Sequence, residues 1–275
     1  MIIIGELING TRKRVKEAIA SHDEKYIAEL AVKEDEAGAD FIDCNPGTIG
    51  EQESRDMQWL VETIQAVTDK PISFDSPNPE AIQRGLATYS GAAMPMINSV
   101  TLEPGSVEKM LPIVLDAQVN VVALALGEGG MPTQAGQREE VAYRLIDQLT
   151  AGGIEPQQIF VDPIIAPLST ASEVGQHIFQ AIAAIRDYCP ECHITCGLSN
   201  ISFGLPNRQL MNRAFIGPAM QTGMDSAVMD PLDEKLMAQI IATEALLGED
   251  EFCMNYLQAY RAGKLDVQLL RDMRK

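Results

Sequence analysis

The stretch I-I-I-G-E-L-I-N-G at residues 2–10 begins with a short apolar strand and passes at once into polar residues. Seven further apolar segments end in the same way, in an acidic or amide side chain. From Glu6 to Asp230 the units repeat every 32 residues on average, the length of one strand, one helix and two loops. The segments and the polar residues after them are 2–4 with Glu6 and Asn9, 41–42 with Asp43 and Asn45, 72–74 with Asp75, 96–97 with Asn98, 121–124 with Glu128, 159–161 with Asp162, 194–195 with Asn200, and 227–229 with Asp230.

Eight such units predict a (β/α)8 barrel of the α/β class, a TIM barrel. The chain of 275 residues fits one domain over residues 1–275, and the stretch from about residue 250 is predicted to form an extra C-terminal helix. Barrels of this kind place their active sites at the C-terminal ends of the strands. Because a buried carboxylate or amide costs free energy unless it finds a partner, the ring of polar residues predicts a polar ligand at this mouth.

The composition is strongly acidic, with a net charge of -18 from 39 acidic and 21 basic residues. Phosphate groups bind to clusters of Lys and Arg, so this charge argues against nucleic acid or an anionic membrane as a partner. No apolar run approaches the roughly 18 residues of a membrane span, and the first residues do not resemble a signal peptide. We therefore expect a cytoplasmic protein.

Five cysteines, an odd number, indicate reduced thiols. Three of them lie with a histidine in the segment C-P-E-C-H-I-T-C, as Cys189, Cys192, His193 and Cys196. The segment contains the short haem-attachment spacing and resembles a zinc site only weakly. It falls before a strand, at the end of the barrel away from the mouth, and alternate strand residues point in opposite directions. We therefore expect no metal site.

The chemistry available at the mouth is narrow, because none of the three histidines follows a strand and no G-x-S-x-G, Walker or G-x-G-x-x-G segment occurs. Carboxylates and amides suit a heterocycle with a guanidine-like edge. A pterin has such an edge, since its 2-amino group and N3–H donate together to one carboxylate. As an alternative, Asp43, Asn45 and Asp230 only cap the helices that follow. The predicted ligand-binding residues are Asp75, Asn98, Asp162 and Asn200, with Glu6, Asn9, Asp43 and Asn45 nearby.

Six segments carry a resemblance to a known family. They are I-I-I-G-E-L-I-N-G at 2–10, D-S-P-N at 75–78, M-I-N-S at 96–99, V-D-P at 161–163, G-L-S-N at 197–200 and N-R-Q-L-M-N-R-A-F at 207–215. In order and spacing they resemble the methyltetrahydrofolate:corrinoid protein methyltransferases. That family shares its pterin-binding barrel with dihydropteroate synthase and with the folate domain of cobalamin-dependent methionine synthase. Two positions depart from it, Leu7 where members often have Arg, and Phe203 where some have Gln.

The resemblance implies an enzyme that moves a methyl group between N5 of tetrahydrofolate and the cobalt of a corrinoid. It places the pterin on Asp75, Asn98 and Asp162, and a hydrogen bond from Asn200 near N5. Ser199 and the later Arg208 belong to the same substrate-binding region. No D-x-H-x-x-G segment occurs, so we expect the cobalamin on a separate corrinoid protein. A homodimer is also expected.

Two alternatives stay open. Dihydropteroate synthase shares the pterin pocket, but it needs an anion site of the Lys-Ser-x-Arg kind after the seventh strand. This chain has S-N-I-S at residues 199–202 in that place, with only Arg208 nearby. A non-catalytic pterin carrier would need no donor at N5, so Asn200 in the G-L-S-N turn favours the enzyme.

Overall fold

Eight parallel β-strands form a closed ring in the computed structural model, which describes residues 1–265. Strands that follow one another along the chain are hydrogen-bonded neighbours, and the first strand also pairs with the last. The ring closes between the seventh and eighth strands, where the Val228 N–H donates to the Cys196 carbonyl at 2.8 Å. The predicted (β/α)8 barrel is therefore confirmed. The strands are β1 (Ile2–Gly5), β2 (Phe41–Cys44), β3 (Ile72–Asp75), β4 (Met96–Val100), β5 (Asn120–Leu124), β6 (Ile159–Asp162), β7 (His193–Ile194) and β8 (Ser226–Met229).

Helices surround this ring. Two of them stand between β1 and β2, where the repeat of the sequence predicts only one. The Asp23 side chain accepts a hydrogen bond from the Tyr26 N–H at 3.2 Å and so begins the second of the two. The helices of residues 1–265 are α1 (Lys13–Ser21), α2 (Glu24–Ala37), α3 (Glu51–Gln65), α4 (Pro79–Thr88), α5 (Ser106–Ala117), α6 (Ala135–Ala151), α7 (Val174–Tyr188), α8 (Arg208–Gln221), α9 (Glu234–Leu247) and α10 (Met254–Arg261).

The inside of the ring has an apolar layer beneath a polar one. On three strands an apolar residue is followed two positions later by a polar residue that points to the same side. The three pairs are Phe41 and Asp43, Met96 and Asn98, and Phe160 and Asp162. Ile4 and Val122 complete the apolar layer, and a larger apolar core lies between the strands and the helices. The apolar layer therefore forms the floor on which the polar residues of the mouth stand.

The chain continues past the eighth strand and helix into α10, which lies beside α9 and buries Ala259. The remainder of the stretch predicted as extra helix, residues 266–275, lies outside the described residues. Within residues 1–265, no helix combines the length and the apolar character that crossing a bilayer requires.

The cysteines differ from the prediction of reduced thiols. Cys189 and Cys192 are joined by a disulfide across the turn after α7, with their Cα atoms 5.5 Å apart, so that prediction is wrong for this pair. Cys196 is a separate buried thiol whose sulfur lies 3.3 Å from that of Met224. In the part of the chain that the structure describes, no three His, Cys, Asp or Glu side chains are grouped to hold a metal ion.

Candidate active site

A cavity of about 850 Å³ opens at the C-terminal ends of the strands, above the apolar layer. Its size lies in the upper part of the roughly 300–1,000 Å³ range of small-molecule sites. All but one of the ten residues predicted to bind the ligand line it, and the exception, Asn45, contacts one of them. The nine lining residues are Glu6, Asn9, Asp43, Asp75, Asn98, Asp162, Ser199, Asn200 and Arg208.

Asp43 lies at the centre of a buried hydrogen-bonded group at the base of the cavity. Its Oδ1 accepts hydrogen bonds from Ser73 Oγ at 2.8 Å and from Asn98 Nδ2 at 3.5 Å. Burial raises the pKa of Asp43 well above its ordinary value, and the nearby Asp75 carboxylate raises it further. Asp43 thus orients Asn98 and does not cap a helix.

Asp75 stands beside this group and is held by an amide from the neighbouring loop. Asn45 Nδ2 donates to Asp75 Oδ2 at 2.7 Å, while Asn45 Oδ1 accepts the Gly47 N–H at 2.8 Å. Burial raises the pKa of Asp75, and the hydrogen bond from Asn45 works in the opposite direction. The Asn45 side chain therefore stabilises its own loop and orients the Asp75 carboxylate.

The loops after β1 and β2 are locked together at the rim. The Gly10 N–H donates to the Asn45 carbonyl at 2.8 Å. A Cβ atom at Gly10 would lie 2.1 Å from the Pro46 carbonyl oxygen, so only glycine permits this approach. Asn9 Oδ1 accepts hydrogen bonds from the N–H and the hydroxyl of Thr11, so the oxygen of this side chain is used within the loop.

Asp162 is held at the end of β6 by the loop that follows it. Its Oδ1 accepts the Ile164 N–H at 2.8 Å, and the Gly197 N–H also donates to this carboxylate. Ile164 has a φ of 58°, a strained conformation for a β-branched residue, and its carbonyl accepts a hydrogen bond from Nε of the buried Arg138 at 3.1 Å. Burial raises the pKa of Asp162 to about 6, so the carboxylate predominates at neutral pH.

The segment after β7 presents Asn200 to the cavity on a single 3-10 turn, Leu198–Ser202. Arg208 supports this turn, since its Nη2 donates to the Ser199 carbonyl at 2.6 Å and its Nε to Ser202 Oγ at 3.1 Å. Asn200 is exposed, and its side chain makes no hydrogen bond within residues 1–265. The amide is therefore available to a ligand.

Glu6 connects this turn to the first strand. Its Oε1 accepts hydrogen bonds from Arg12 Nη2 at 2.6 Å and from Ser199 Oγ at 3.2 Å. Burial raises the pKa of Glu6, and the Arg12 guanidinium opposes that change. Glu6 and Ser199, 193 residues apart in the sequence, thus connect two loops at one point of the rim.

Two other polar residues that follow strands do not line the cavity. Asp230 Oδ1 accepts the Leu232 N–H at 2.9 Å within the loop after β8. The following helix α9 is capped by Asp233, which accepts the Leu236 N–H, so the alternative that Asp230 caps this helix is wrong. Glu128 is exposed in the loop after β5. The strand-end pattern thus includes two residues that do not line the cavity.

One wall of the cavity comes from α1 and α2 and is not anticipated by the strand-end pattern. It contributes basic and apolar side chains, Arg12, Arg14, Val15, Tyr26 and Leu30. The signal for it in the sequence is a concentration of basic residues at 12–16 in an otherwise acidic chain.

Glu34 on α2 is fully buried behind the end of β1. Its Oε1 accepts the Leu7 N–H at 2.8 Å, and its Oε2 has no hydrogen-bond partner within residues 1–265. Gly5 makes room for the group, since a Cβ atom there would lie 2.4 Å from Oε1. Burial raises the pKa of Glu34 to about 8, which leaves a neutral acid at pH 7.

This raised pKa predicts that stability falls as pH rises. The stabilisation is complete below the ordinary value near 4.5 and is lost as pH rises through about 8. Each pH unit in that window costs roughly 1.4 kcal/mol of folding free energy. Glu34→Gln keeps an acceptor for Leu7 and stays neutral, so we expect its Tm to fall less than that of the wild type between about pH 5 and about pH 8.

Glu36→Gln, at an exposed position of the same helix, is the matched control and should keep the wild-type pH dependence. Thermal unfolding followed by circular dichroism in a pH series measures all three proteins. Identical slopes of Tm against pH for Glu34→Gln and the wild type would contradict the assignment.

Comparison with known proteins connects this geometry to a family. Residues 5–230 match the family model described as pterin binding enzyme. The chain belongs to this family. The resemblance of the six sequence segments is thereby confirmed at the level of the family.

Two relatives are similar to this pterin binding enzyme in sequence, and one solved structure is similar to it in fold. It is 38% identical over 268 residues, 96% of this chain and 98% of the relative, to the methylcorrinoid:tetrahydrofolate methyltransferase of Eubacterium limosum. It is 30% identical to the methionine synthase of Mycobacterium tuberculosis, over 83% of this chain and 20% of that longer protein. Dihydropteroate synthase from Xanthomonas albilineans, solved with 7,8-dihydropteroate, shares the fold with a TM-score of 0.63 and 20% identity over 91% of this chain and 93% of that one.

Proposed function

We propose that this pterin binding enzyme is a methyltransferase that moves a methyl group between N5 of tetrahydrofolate and the cobalt of a corrinoid carried by a separate protein. The observation that carries the proposal is the match to the methylcorrinoid:tetrahydrofolate methyltransferase, which extends over nearly the full length of both chains. The methionine synthase match supports the same chemistry. It covers 83% of this chain and about one fifth of that larger protein.

The base of the cavity suits the pterin. The edge formed by the 2-amino group and N3–H of a pterin offers two parallel donors, and the Asp162 carboxylate accepts both. Asn98 supplies an amide whose nitrogen is turned toward Asp43, which leaves its oxygen for a further donor of the ring. Asp75, oriented by Asn45, completes a set of acceptors that favours a ligand rich in N–H groups.

Asn200 is suited to assist the chemical step. The corrinoid supplies cobalt(I) as the nucleophile for the methyl carbon, or the methyl group itself in the reverse direction. When the bond from N5 to the methyl carbon breaks, its electron pair stays on N5, which becomes strongly basic and ends with a proton from solvent. The Asn200 amide can donate to N5 as this charge develops, which stabilises the transition state more than the ground state.

Neither alternative matches the seventh loop as well. Dihydropteroate synthase chemistry needs a cation for a pyrophosphate leaving group, but Arg208 is engaged with the Ser199 carbonyl and Ser202 Oγ. A pterin carrier would gain nothing from a solvent-facing amide held by such a support. Both observations favour the methyltransferase.

A direct assay tests the proposal. The purified protein is mixed anaerobically with 5-methyltetrahydrofolate and free cob(I)alamin, and the absorbance change to methylcobalamin is recorded. Formation of methylcobalamin at a rate proportional to enzyme is the expected result. Tight binding of tetrahydrofolate without any methyl transfer would instead support the carrier.

The partner is expected to dock on the rim of the mouth, where apolar side chains stand exposed on separate loops. They are Ile49 after β2, Met131 after β5, Phe203 after β7, Leu210 at the start of α8 and Leu232 after β8. Exposed apolar groups that ring a cavity mark a contact surface for another protein. We therefore place the corrinoid protein over the mouth.

Charged substitutions on this rim should affect only the reaction with the protein partner. Ile49 is 88% exposed and Leu210 is 62% exposed, so Asp at both positions should leave the fold intact. We expect the double variant to slow the reaction with the methylated corrinoid protein about tenfold, because the two new carboxylates would lose their hydration in the contact. The rate with free cobalamin should stay unchanged.

Val67→Asp is the control, since Val67 is exposed just after the end of α3, away from the mouth. It should alter neither rate. An equal loss with free cobalamin and with the corrinoid protein would mean that the rim variants damage the pterin site, and the docking assignment would be withdrawn.

A homodimer is a further part of the proposal. The segment from the end of α9 through α10 exposes large apolar side chains, among them Leu246, Phe252 and Tyr260. A patch of this kind favours a contact between two copies. A solution mass near twice 30.0 kDa would support the dimer, and a mass of one chain would contradict it.

Because cobalt(I) survives only under reducing conditions, we place the reaction in the cytoplasm.

A further inference from the structure

Arg138 is a charged side chain in the interior of the protein. It lies in the first turn of α6, and only 1% of its surface is exposed. Its guanidinium forms no ion pair within residues 1–265, and two backbone carbonyls accept its hydrogen bonds. Burying a cation costs free energy unless its hydrogen bonds compensate for the lost hydration. The two carbonyls therefore indicate what this buried charge supports.

One carbonyl orients Arg138, and the other belongs to the loop after β6. Arg138 Nη1 donates to the Gln134 carbonyl at 3.2 Å, at the start of its own helix. Its Nε donates to the Ile164 carbonyl at 3.1 Å, two residues after Asp162. Arg138 thus connects a helix of the outer ring to the loop beside an acid of the cavity.

Ile164 has an unfavourable backbone conformation. Its φ of 58° lies in the left-handed region, which a β-branched residue rarely adopts. Such conformations persist only where the surrounding structure holds them, and they concentrate at functional sites. Ile164 is held on both sides, because its N–H donates to Asp162 Oδ1 at 2.8 Å and its carbonyl accepts from Arg138. The peptide planes before and after its Cα are therefore both fixed.

This conformation supplies a donor to the Asp162 carboxylate. Pro163 has no N–H, so Ile164 carries the first backbone donor after Asp162. Burial raises the pKa of Asp162 to about 6, and the N–H groups of Ile164 and Gly197 oppose that change. The neighbouring Cys196 thiol stays neutral, because burial raises its pKa. Loss of the Ile164 N–H would therefore free the carboxylate to rotate and raise its pKa further.

We propose that Arg138 is a positioning residue for pterin recognition, which holds Ile164 in the left-handed conformation that aims the Asp162 carboxylate at the pterin edge. This inference rests on the proposed function, which assigns the pterin edge to Asp162. Arg138 is not among the residues that line the cavity, so it acts through the loop. Its effect is on affinity, because a carboxylate oriented before the ligand arrives loses less conformational freedom on binding.

The test measures the affinity for tetrahydrofolate by isothermal titration calorimetry in a pH series. Arg138→Met keeps the approximate length of the side chain and removes its donors and its charge. We expect the Kd of this variant at neutral pH to rise roughly tenfold. The midpoint of its pH dependence should lie above the value of about 6 expected for the wild type. Arg144→Met, at an exposed position of the same helix, is the matched control and should keep both values.

A second substitution separates positioning from packing. Glycine adopts a φ of 58° without strain, so Ile164→Gly reduces the need for Arg138 to hold this conformation. In the Arg138→Met background, Ile164→Gly should lower the Kd about threefold or more and return the midpoint toward the wild-type value. If Arg138 only filled space, loss of the buried Ile164 side chain would weaken binding further.

Arg138→Lys provides the same comparison if Arg138→Met does not fold, since it retains the charge without the fork of donors. Its Kd should rise about threefold, with the same recovery on adding Ile164→Gly. An unchanged Kd and midpoint in the Arg138 variants, or a further loss on adding Ile164→Gly, would overturn the positioning role and leave the methyltransferase in place. A wild type that does not bind tetrahydrofolate would refute the proposed function and this inference with it.

Discussion

Replacing Asn200 with alanine is expected to slow methyl transfer by about a hundredfold or more, while the affinity for tetrahydrofolate changes by less than about threefold. The amide is exposed and has no hydrogen-bond partner within residues 1–265, so its removal leaves the turn and its Arg208 support in place. On the proposed mechanism, the variant loses a donor to N5 at the moment when negative charge develops there. A contact made only in the transition state is measured in kcat.

Single-turnover stopped-flow kinetics with saturating 5-methyltetrahydrofolate and cob(I)alamin give the rate of the chemical step, free of product release. Asn255→Ala, at an exposed position on α10, is the control and should react at the wild-type rate. Asn200→Asp keeps the shape but cannot donate when ionised, so its rate should recover only as pH falls. A near-normal rate in Asn200→Ala would mean that water or another group activates N5.

Asp162→Ala is expected to show the opposite balance, with a loss of affinity for tetrahydrofolate of roughly 1.5–3 kcal/mol, or about 10- to 150-fold in Kd. The variant leaves the two-donor edge of the pterin without its charged acceptor. Because Asp162 also accepts the Ile164 N–H, Asp162→Asn is the cleaner partner variant, since its amide oxygen can keep that loop contact.

The pH dependence of binding is a second measure of the same carboxylate. Burial raises its pKa to about 6, and only the ionised form accepts both donors of the pterin edge. Affinity in the wild type should therefore rise as pH increases through about 6 and then level off. Asp162→Asn should bind weakly and without this dependence. Calorimetric titrations across the range measure both, and equal affinities for wild type and variant would remove Asp162 from the pterin edge.

The barrel and most of the site were predictable because both follow from the strands. A polar residue at the C-terminal end of a parallel strand must lie at one end of the sheet, and the two-residue period aligns Asp43 above Phe41 and Asp162 above Phe160. Asp75 and Asn98 follow from the same rule. No knowledge of the loops is needed for this step.

The α1 and α2 wall was not predictable in the same way. Residues such as Arg14 and Tyr26 reach the cavity from helices, where a charged or amphipathic side chain normally faces solvent. Glu34 has the same problem, although it does fall on the apolar stripe of α2 with Ile27 and Ala31, seven and three residues earlier. An acid on an apolar stripe is a sign of burial that the sequence contains.

The state of the cysteines lay beyond sequence reasoning for a different reason. A spacing of three residues allows either two thiols or a disulfide, and the choice depends on the turn after α7, which brings the Cα atoms of Cys189 and Cys192 to 5.5 Å. Arg186 of α7 contacts the backbone of that turn, since its Nη1 donates to the Pro190 carbonyl at 2.9 Å and to the Cys192 carbonyl at 2.6 Å.

The apolar layer inside the barrel also bears on the order in which molecules would arrive and leave. Phe41, Met96 and Phe160 close the ring beneath the cavity, on the side away from the surface on which the corrinoid protein is proposed to dock. If the corrinoid protein docks there, folate would have to enter before it and could be exchanged only after it departs. An excess of the corrinoid protein would then slow turnover by blocking this exchange.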